Sequence, residues 1–307
     1  MRGTRLFYAL MLLCALAVPA SGIYPVFMMK LLCFAIFACA FNLLLGFSGM
    51  LSFGHAAFFG TAAYVTGWLI TAHDWGPLAA LAGGSIAAGA LGLAIGALAI
   101  RRQGIYFAMV TLALAQLVYF VCLEAPFTGG ENGLQGVARG TLLGILPLNS
   151  DIAMYYLVLA AFVGVFWLIH RIIHSPFGQV LKAIRENEQR AISLGYDIQR
   201  YKLVAFVLSA ILSGLGGSLK TLVLGFTTLS DVLQTNSGEV ILMTLLGGMG
   251  TFFGPVVGAG LVVTLQEYLS DIVGGWVTVI IGVIFVACVL TFRRGIVGEL
   301  AARYRKL

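Results

Sequence analysis

The sequence predicts an all-α polytopic membrane protein with about ten transmembrane helices, and three observations support that fold class. Hydrophobic residues make up 60% of the chain and charged residues only 10%, and the mean hydropathy is +1.01. Soluble domains carry charge on about a quarter of their residues. The apolar residues run in unbroken segments, most of them near the length of about 17 to 25 residues that a spanning helix needs. Because these runs do not alternate with polar residues, they do not fit the strands of a membrane barrel.

The apolar segments follow one another along the whole chain. They are residues 6–22, 26–47, 57–73, 77–100, 104–123, 152–171, 203–224, 238–250, 252–269 and 276–292. The segment 238–250 is too short for a full crossing. We expect a broken or re-entrant helix there, paired with the next segment around Gly250 and Gly254. Such helices occur only where protein or a cavity covers the exposed backbone.

The first 22 residues fit two interpretations. Arg2 and Arg5 precede an apolar run, and the short sequence from Val18 to Ala20 could pass for a signal-peptidase site. A retained first span explains the same residues. We favour retention, because an even number of passes then accounts for the distribution of basic residues.

Basic residues predict the orientation of the spans. They cluster at the N-terminus, at Arg101 and Arg102, in the polar stretch 172–202 and in the C-terminal tail. Ten passes with both termini inside place all four clusters in the cytoplasm, as the positive-inside rule requires. The two sizeable external loops are then 124–151 and 225–237. The net charge of +6 is therefore assigned to topology and not to nucleic-acid binding.

The longest polar stretch predicts a short amphipathic helix over about 176–195. Ser175 is placed to cap its start, with proline at the first helical position. Gly195 is placed to end it, and Asp197 can cap the helix that follows. Since a long apolar segment flanks the stretch on each side, this helix is expected to lie at the membrane surface and to contact a soluble partner. No linker divides the chain, so residues 1–307 are expected to form one transmembrane domain.

The sequence pattern places no Asp, Glu, Lys or Arg at the middle of any predicted span. Charged residues lie within a few residues of span ends, at Lys30, Glu124, Glu239, Glu267 and Asp271. Carriers driven by protons or ions usually need charged groups inside the membrane. The sequence therefore indicates that energy reaches the membrane domain from outside it.

No motif in the sequence supports enzyme activity. The chain lacks the Gly-x-x-x-x-Gly-Lys-Ser/Thr phosphate loop, so it is not expected to hydrolyse nucleotide itself. It has no His-Glu-x-x-His motif and no ordering of residues typical of a catalytic triad. Its five cysteines fall within apolar runs without metal-ligand spacing. We expect no metal and no cofactor in this chain.

Two glycine-rich turns hold candidate functional residues. His55 follows the first of them, and a structural role, donating to a backbone carbonyl of that turn, is favoured over a role in gating. The candidates for the translocation path or gate are Asn42, Ser52, His55, Gly250 and Gly254. The second turn lies outside by the predicted topology and is either an ordinary set of turns or a docking loop. The docking candidates are Gly129, Gly130, Glu131 and Asn132.

The polar stretch and its neighbours resemble a known family. SPFGQVLKAIRENEQRAISLGYDIQRYKLVAFVLSAILSGLGGSL is similar to the cytoplasmic coupling region and following span of permease subunits in branched-chain amino acid ABC importers, in particular the Liv M-type subunit. The resemblance continues in GFSGMLSFGHAAFFGTAAY, GIYFAMVTLALAQ, TGGENGL and LLGGMGTFFGPVVGAGLV, over about residues 40–292. One departure concerns the ABC-permease motif Glu-Ala-Ala-x-x-x-Gly. Here Glu188, Ala191 and Gly195 give Glu-x-x-Ala-x-x-x-Gly.

The resemblance implies a set of partners and a mechanism. A periplasmic binding protein would deliver substrate, and a homologous second permease subunit would help to enclose the path. Two cytoplasmic ABC ATPase subunits, which would carry the ATP and Mg, would grip the helix at 176–195. The residues expected to couple to the ATPases are Phe177, Lys182, Arg185, Glu186, Asn187, Glu188, Ala191 and Gly195.

The resemblance also implies a location and a substrate class. The chain would lie in the lipid bilayer of the bacterial cytoplasmic (inner) membrane, and it would translocate branched-chain or other hydrophobic amino acids. An importer of the same type for urea or short amides is the first alternative. A carrier or channel that works alone is the second.

Overall fold

Helices dominate the part of the chain that the structure, a computed structural model, describes: residues 24–142, 146–291 and 295–304. The helices are α1 (Pro25–Asn42), α2 (His55–His73), α3 (Pro77–Ala99), α4 (Ile105–Glu124), α5 (Asp151–His174), α6 (Pro176–Glu186), α7 (Glu188–Ser193), α8 (Ile198–Leu224), α9 (Gln234–Gly247), α10 (Gly254–Val273), α11 (Val277–Thr291) and α12 (Gly295–Tyr304). A π-helical turn, Leu43–Ser48, continues α1. The two short strands β1 (Thr141–Leu142) and β2 (Leu146–Pro147) pair antiparallel.

The helices confirm the predicted all-α polytopic membrane fold. Among the described residues, five helical segments are long and apolar enough to cross a membrane: α1 with its π-helical turn, α3, α4, α5 and α8. Each predicted segment from 26–47 to 276–292 contains a helix. The predicted first segment, 6–22, and the question of its retention lie outside the described residues. The same is true of the basic residues at 293–294 and beyond 304.

Two helices, α1 and α8, form the centre of the bundle. Every residue from Leu32 to the end of the π-helical turn at Ser48 is buried. The helix α8 packs against α1, α2 and α3, and α1 also packs against α5, α9 and α10. A helix that is apolar on all sides is expected to be surrounded by other elements. The sequence of α1 therefore explains its central position.

Glycines allow the helices to approach closely, as is common in membrane proteins. A Cβ atom on Gly217 of α8 would lie 2.8 Å from the carbonyl carbon of Phe59, and one on Gly216 would lie 3.0 Å from the carbonyl oxygen of Cys33. On α10, a Cβ atom on Gly258 would meet the carbonyl group of Met243 in α9. Backbone cannot move aside as a side chain can, so each of these sites excludes a larger residue.

We expect Gly258→Ala to destabilise the protein by about 1 to 3 kcal/mol, because the added methyl group overpacks the contact between α9 and α10. Gly260 is the matched control on the same helix, since a Cβ atom there would meet nothing within 4 Å. The melting temperature of the purified complex that contains this chain measures the difference. Equal melting temperatures for the two variants would show that the close contact is not needed.

The helix α9 crosses only part of the bundle. It has 14 residues. Its first residue, Gln234, accepts a hydrogen bond from Gln116 near the middle of α4, and Ser237 accepts one from the backbone N–H of Ala56 at the start of α2. The turn after α9 contacts Asn42, close to α6. The short segment 238–250 thus belongs to a helix that begins about midway along the bundle, beside Gln116, and ends at the face that carries α6.

Candidate coupling site and path elements

The polar stretch forms two short helices where the sequence analysis expected one. Ser175 caps α6, since its Oγ accepts a hydrogen bond from the Gly178 N–H at 3.3 Å. Asn187 interrupts the expected helix at φ −157° and ψ 101°, and its Oδ1 caps α7 by accepting from the Arg190 N–H at 3.0 Å. Asparagine is a favoured cap because its side chain satisfies a free N–H group of the first turn. The helix expected over 176–195 is therefore broken at its middle.

The inner face of these two helices packs on the bundle. Ala191 is 2% exposed and forms a small apolar cluster with Ile184 and Ile198. Phe177 is half-buried and its ring stacks on that of Tyr201, with the ring centroids 5.6 Å apart. The side chain of Ala191, predicted as an ATPase contact, thus faces the rest of this chain, because it completes the packing of α7 on α8.

The end of α7 and the turn that follows it expose apolar side chains that the sequence analysis did not assign to the coupling site. Ile192 is 53% exposed, Leu194 67% and Tyr196 40%. The predicted coupling residues Glu186 and Asn187 are also exposed on this surface. Large apolar groups that neither pack inside nor lie on a spanning helix are typical of a protein–protein contact. Their position just before and after the predicted stop glycine could have revealed them.

The end of the exposed segment is formed as the sequence predicts. Gly195 has φ +83°, a left-handed conformation that favours glycine, and it follows α7. The Oδ1 atom of Asp197 accepts from the N–H of Arg200 at 3.3 Å and caps α8. These caps fix the angle between the surface segment and the central helix α8.

Arg185 connects α6 to two turns of the membrane bundle. Its Nη1 donates a hydrogen bond to the carbonyl oxygen of Gly46, in the π-helical turn. Its side chain also lies beside Gly49 and Gly250, where added Cβ atoms would lie 3.1 Å and 3.0 Å from it. Both glycines have φ values near +75°, so both turns depend on glycine at these positions. The arginine therefore lies where three parts of the chain meet.

Asn42 joins the same site from inside the bundle. Its Nδ2 donates to the carbonyl oxygen of Thr251 at 2.9 Å, and its Oδ1 accepts from the N–H of Gly250 at 3.0 Å. Within the same turn, the N–H of Gly254 donates to Thr251 Oγ1 at 3.1 Å. The structure thus brings together Asn42, Gly250 and Arg185, which the sequence analysis assigned to two separate groups.

Glu188 forms a second connection, from α7 to the membrane helices. Its carboxylate lies 2.8 Å from the Lys202 ammonium group on α8 and accepts from Gln103 Nε2 at 2.7 Å. Gln103 lies in the turn before α4. A pocket of about 510 Å³ opens between these connections, and its lining includes Arg102 and Arg185. Lys182 is half-buried, with its ammonium nitrogen 5.9 Å from the centre of the Phe47 ring.

His55 is fully buried at the start of α2. Its Nε2 lies 2.9 Å from the Ser209 hydroxyl, which itself donates to the carbonyl oxygen of Ala40 at 2.6 Å. Since the hydroxyl has only one proton to give, His55 is the donor in the first contact. The sequence analysis expected the histidine to donate to a carbonyl of its own turn. The hydroxyl of Ser209 stands between the ring and a carbonyl of α1 instead.

Ser52, the second candidate before α2, binds the backbone of its own turn. Ser52 is buried, and its Oγ accepts from the N–H of Gly54 at 3.2 Å. The neighbouring Phe53 N–H donates to Thr111 Oγ1 of α4 at 3.2 Å. These contacts fix the turn between α1 and α2. A role of Ser52 or His55 in gating stays a prediction.

The two predicted external loops pack on each other at the end of the bundle opposite α6. The backbone groups of Leu134 and Thr227 exchange hydrogen bonds of 3.0 and 2.9 Å. Gly129 and Gly130 have φ values of +75° and +58° and shape two 3₁₀ turns. Glu131 and Asn132 are exposed on these turns. The four docking candidates thus lie together on one surface of the protein.

A buried ion pair near one end of a span adds a charged residue that the sequence analysis did not name among those at span ends. Lys220 lies one turn before the end of α8, and its ammonium group contacts the carboxylate of Asp231. The two residues are 8% and 1% exposed. The loop after α8 folds back into the bundle and brings the carboxylate to the lysine. The second carboxylate oxygen accepts from the Thr228 N–H at 3.3 Å.

No group of three or more His, Cys, Asp or Glu side chains that could hold a metal ion occurs within the described ranges. Cys33, Cys39 and Cys122 are buried free thiols and Cys288 is half-buried.

Comparison with known proteins identifies the family. The family described as branched-chain amino acid transport system / permease component matches residues 26–289. The chain belongs to this family. The match includes the surface segment, both connections to the bundle and the loops at the opposite end, and it stops before α12.

Individual relatives agree with that assignment. The permease is 29% identical over 261 residues to the high-affinity branched-chain amino acid transport system permease protein LivM of Escherichia coli, covering 78% of this chain and 61% of that protein. It is 28% identical over 293 residues to the LivM protein of Salmonella typhimurium, covering 87% and 69%. It is also 29% identical over 178 residues to the ribose import permease protein RbsC of Bacillus subtilis, covering 55% and 52%.

Proposed function

We propose that this chain is the membrane-spanning permease subunit of an ABC importer in the bacterial inner membrane, with both termini in the cytoplasm. One observation carries the proposal. The segment α6–α7 has an exposed outer face with Ile192 and Leu194, while its inner side is joined to the spans through Arg185 and Glu188. A segment that is exposed on one side and connected to several spans on the other is suited to transmit force from a soluble protein.

The partners follow from this arrangement and from the family. Each importer contains two cytoplasmic ABC ATPase subunits, which hold the ATP and Mg. One of them binds the outer face of α6–α7 of this chain. A homologous second permease encloses the path together with this chain. A periplasmic binding protein docks on the loops at the opposite end, where Glu131 and Asn132 are exposed.

The mechanism uses the two connections in parallel. Closure of the ATPases moves α6 and α7. Arg185 carries the movement of α6 to the turn between α9 and α10, and Glu188 carries that of α7 to the turn before α4. Because α9 starts midway along the bundle, beside Gln116, a shift of its end changes the middle of the membrane domain. The two states of the path then alternate with the state of the ATPases.

For the substrate we propose branched-chain or other hydrophobic amino acids. Two relatives named for branched-chain amino acid transport match 78% and 87% of this chain, whereas the relative named for ribose import matches 55%. Uptake of labelled leucine into cells that lack other leucine importers tests this class. Uptake of urea or a short amide, with none of leucine, would favour the first alternative.

We expect Leu194→Asp to lower uptake at least about tenfold, because a charge at the centre of an apolar contact removes the binding of the ATPase subunit. Leu194→Met keeps the apolar surface and serves as the matched control. Uptake and the amount of ATPase recovered with the permease are measured together. Normal uptake by the aspartate variant, or uptake that continues when the ATPases are inactivated by mutation, would contradict the proposed function.

A further inference from the structure

An amide pair lies at mid-membrane depth on the exposed side of α4. This helix has 20 residues, and a rise of about 1.5 Å per residue places Gln116 roughly 17 Å from its start. That position is near the centre of a hydrocarbon layer about 30 Å thick. Gln116 Nε2 donates to Gln234 Oε1 at 3.2 Å, and Gln234 is exposed while Gln116 is half-buried.

Thr235 is exposed and Asn236 is half-buried next to Gln234, whereas the surface of α4 around Gln116 is apolar. Met109 is 60% exposed on the same helix, and Leu117 and Phe120 are each 59% exposed. An amide group that faces hydrocarbon without a partner costs several kcal/mol. Each glutamine has two N–H donors and one oxygen with two lone pairs, and the contact between them uses only one donor and one acceptor site. The remaining groups need water or a polar solute.

We propose that Gln116 and Gln234 line the translocation path and form a transient site for the charged end of a zwitterionic amino acid. The N–H groups can donate to the carboxylate, and the oxygen of Gln116 can accept from the ammonium group. Neutral amides bind such groups weakly, which lets the solute leave, as conduction requires. This inference rests on the proposed function for the identity of the solute.

The same pair lies on the two helices that the coupling segment contacts. Gln103 lies just before α4, and its Nε2 donates a hydrogen bond to the carboxylate of Glu188 of α7 at 2.7 Å. Gly250, just after α9, lies beside Arg185 of α6. A movement of α6–α7 therefore acts on both helices, and it changes the distance between Gln116 and Gln234. The site would be formed in one state of the importer and opened in the other.

Cysteine accessibility tests whether the pair faces water. Gln116→Cys and Gln234→Cys are made in a chain whose five native cysteines are replaced, and membrane vesicles that contain the whole importer are treated with a membrane-impermeant maleimide. Ile86→Cys is the control, because Ile86 is 70% exposed on the apolar face of α3. We expect both glutamine positions to react at least about tenfold faster than position 86. Equal rates at 86 and 116, or no reaction at 116, would overturn the inference.

A transport measurement then tests the role in binding. We expect Gln116→Leu to raise the KM for leucine about tenfold, the loss typical of one hydrogen bond to a charged group, with the level of assembled importer unchanged. An unchanged KM would overturn the binding role. The labelling result needs no substrate, so a failure of this inference and a failure of the proposed function give different outcomes.

Discussion

Replacing Arg185 with alanine is expected to reduce uptake about ten- to a hundredfold while the assembled complex continues to hydrolyse ATP. The side chain joins α6 to Gly46 and lies beside Gly250, so its loss leaves α6 free to move without the turn that follows α9. A hydrogen bond from a charged donor contributes about 1.5 to 3 kcal/mol, which corresponds to that range of effects. Uptake and ATP hydrolysis are measured on the same membrane vesicles.

Arg190→Ala is the matched control for this experiment. Arg190 is exposed on α7, and its side chain has no hydrogen bond or ion pair with the described residues. Because Arg190 makes no polar contact with the described spans, we expect this variant to keep uptake in proportion to ATP hydrolysis. If Arg185→Ala lowers ATP hydrolysis and uptake together, the arginine supports assembly only. If it changes neither, α6 does not act through this contact.

Breaking the pair between Lys220 and Asp231 is expected to destabilise the protein by about 3 to 5 kcal/mol, because removal of one partner leaves a buried charge without compensation. Lys220→Met removes the ammonium group and keeps most of the side-chain volume. The double variant Lys220→Met/Asp231→Leu removes both charges and is expected to recover much of the loss. The melting temperature of the purified complex is measured for the unaltered protein, the single variant and the double variant.

The pair between Lys30 and Glu267 provides the control for the buried pair. Its atoms are 2.7 Å apart, but the side chains are 29% and 51% exposed, and exposed pairs contribute only about 0 to 1 kcal/mol. Lys30→Met should therefore change the melting temperature little. A similar loss in Lys30→Met and Lys220→Met would show that burial does not decide the contribution of these pairs.

Hydropathy and local caps account for the part of the fold that could be predicted. Long apolar runs gave the positions of the spans, because a helix in lipid must satisfy its own backbone and cover itself with apolar side chains. Ser175 and Gly195 were assigned correctly as a helix start and stop, since both act on backbone within a few residues. The depletion of charge within the spans was visible for the same reason.

Contacts between distant residues could not be predicted from one sequence. Lys220 meets Asp231 only because the loop after α8 folds into the bundle, and nothing in the local pattern indicates that return. Arg185 and Gly46 are 139 residues apart. The break at Asn187 is a local feature, but the apolar spacing continued across it and favoured one helix over two.

The candidate sites divide in the same way. The polar segment was found from its composition, and the glycine-rich turns were found from their spacing. The meeting of Asn42, Gly250 and Arg185 was not, because it depends on how α1, α6 and α9 pack. The amide pair of Gln116 and Gln234 was missed for the same reason: each glutamine alone resembles an ordinary polar residue near a helix end or face.

The central claim is that the outer face of α6–α7 receives force from a soluble ATPase. Photo-cross-linking from position 194 tests this claim most directly. A photoactivatable amino acid replaces Leu194, and native membranes that contain the importer are irradiated. The account predicts an adduct with a cytoplasmic ATPase chain, and none when the same group replaces Ile86 on α3. An adduct only with a periplasmic protein would contradict it. So would the reaction of a cysteine at position 194 with an impermeant maleimide added outside intact cells.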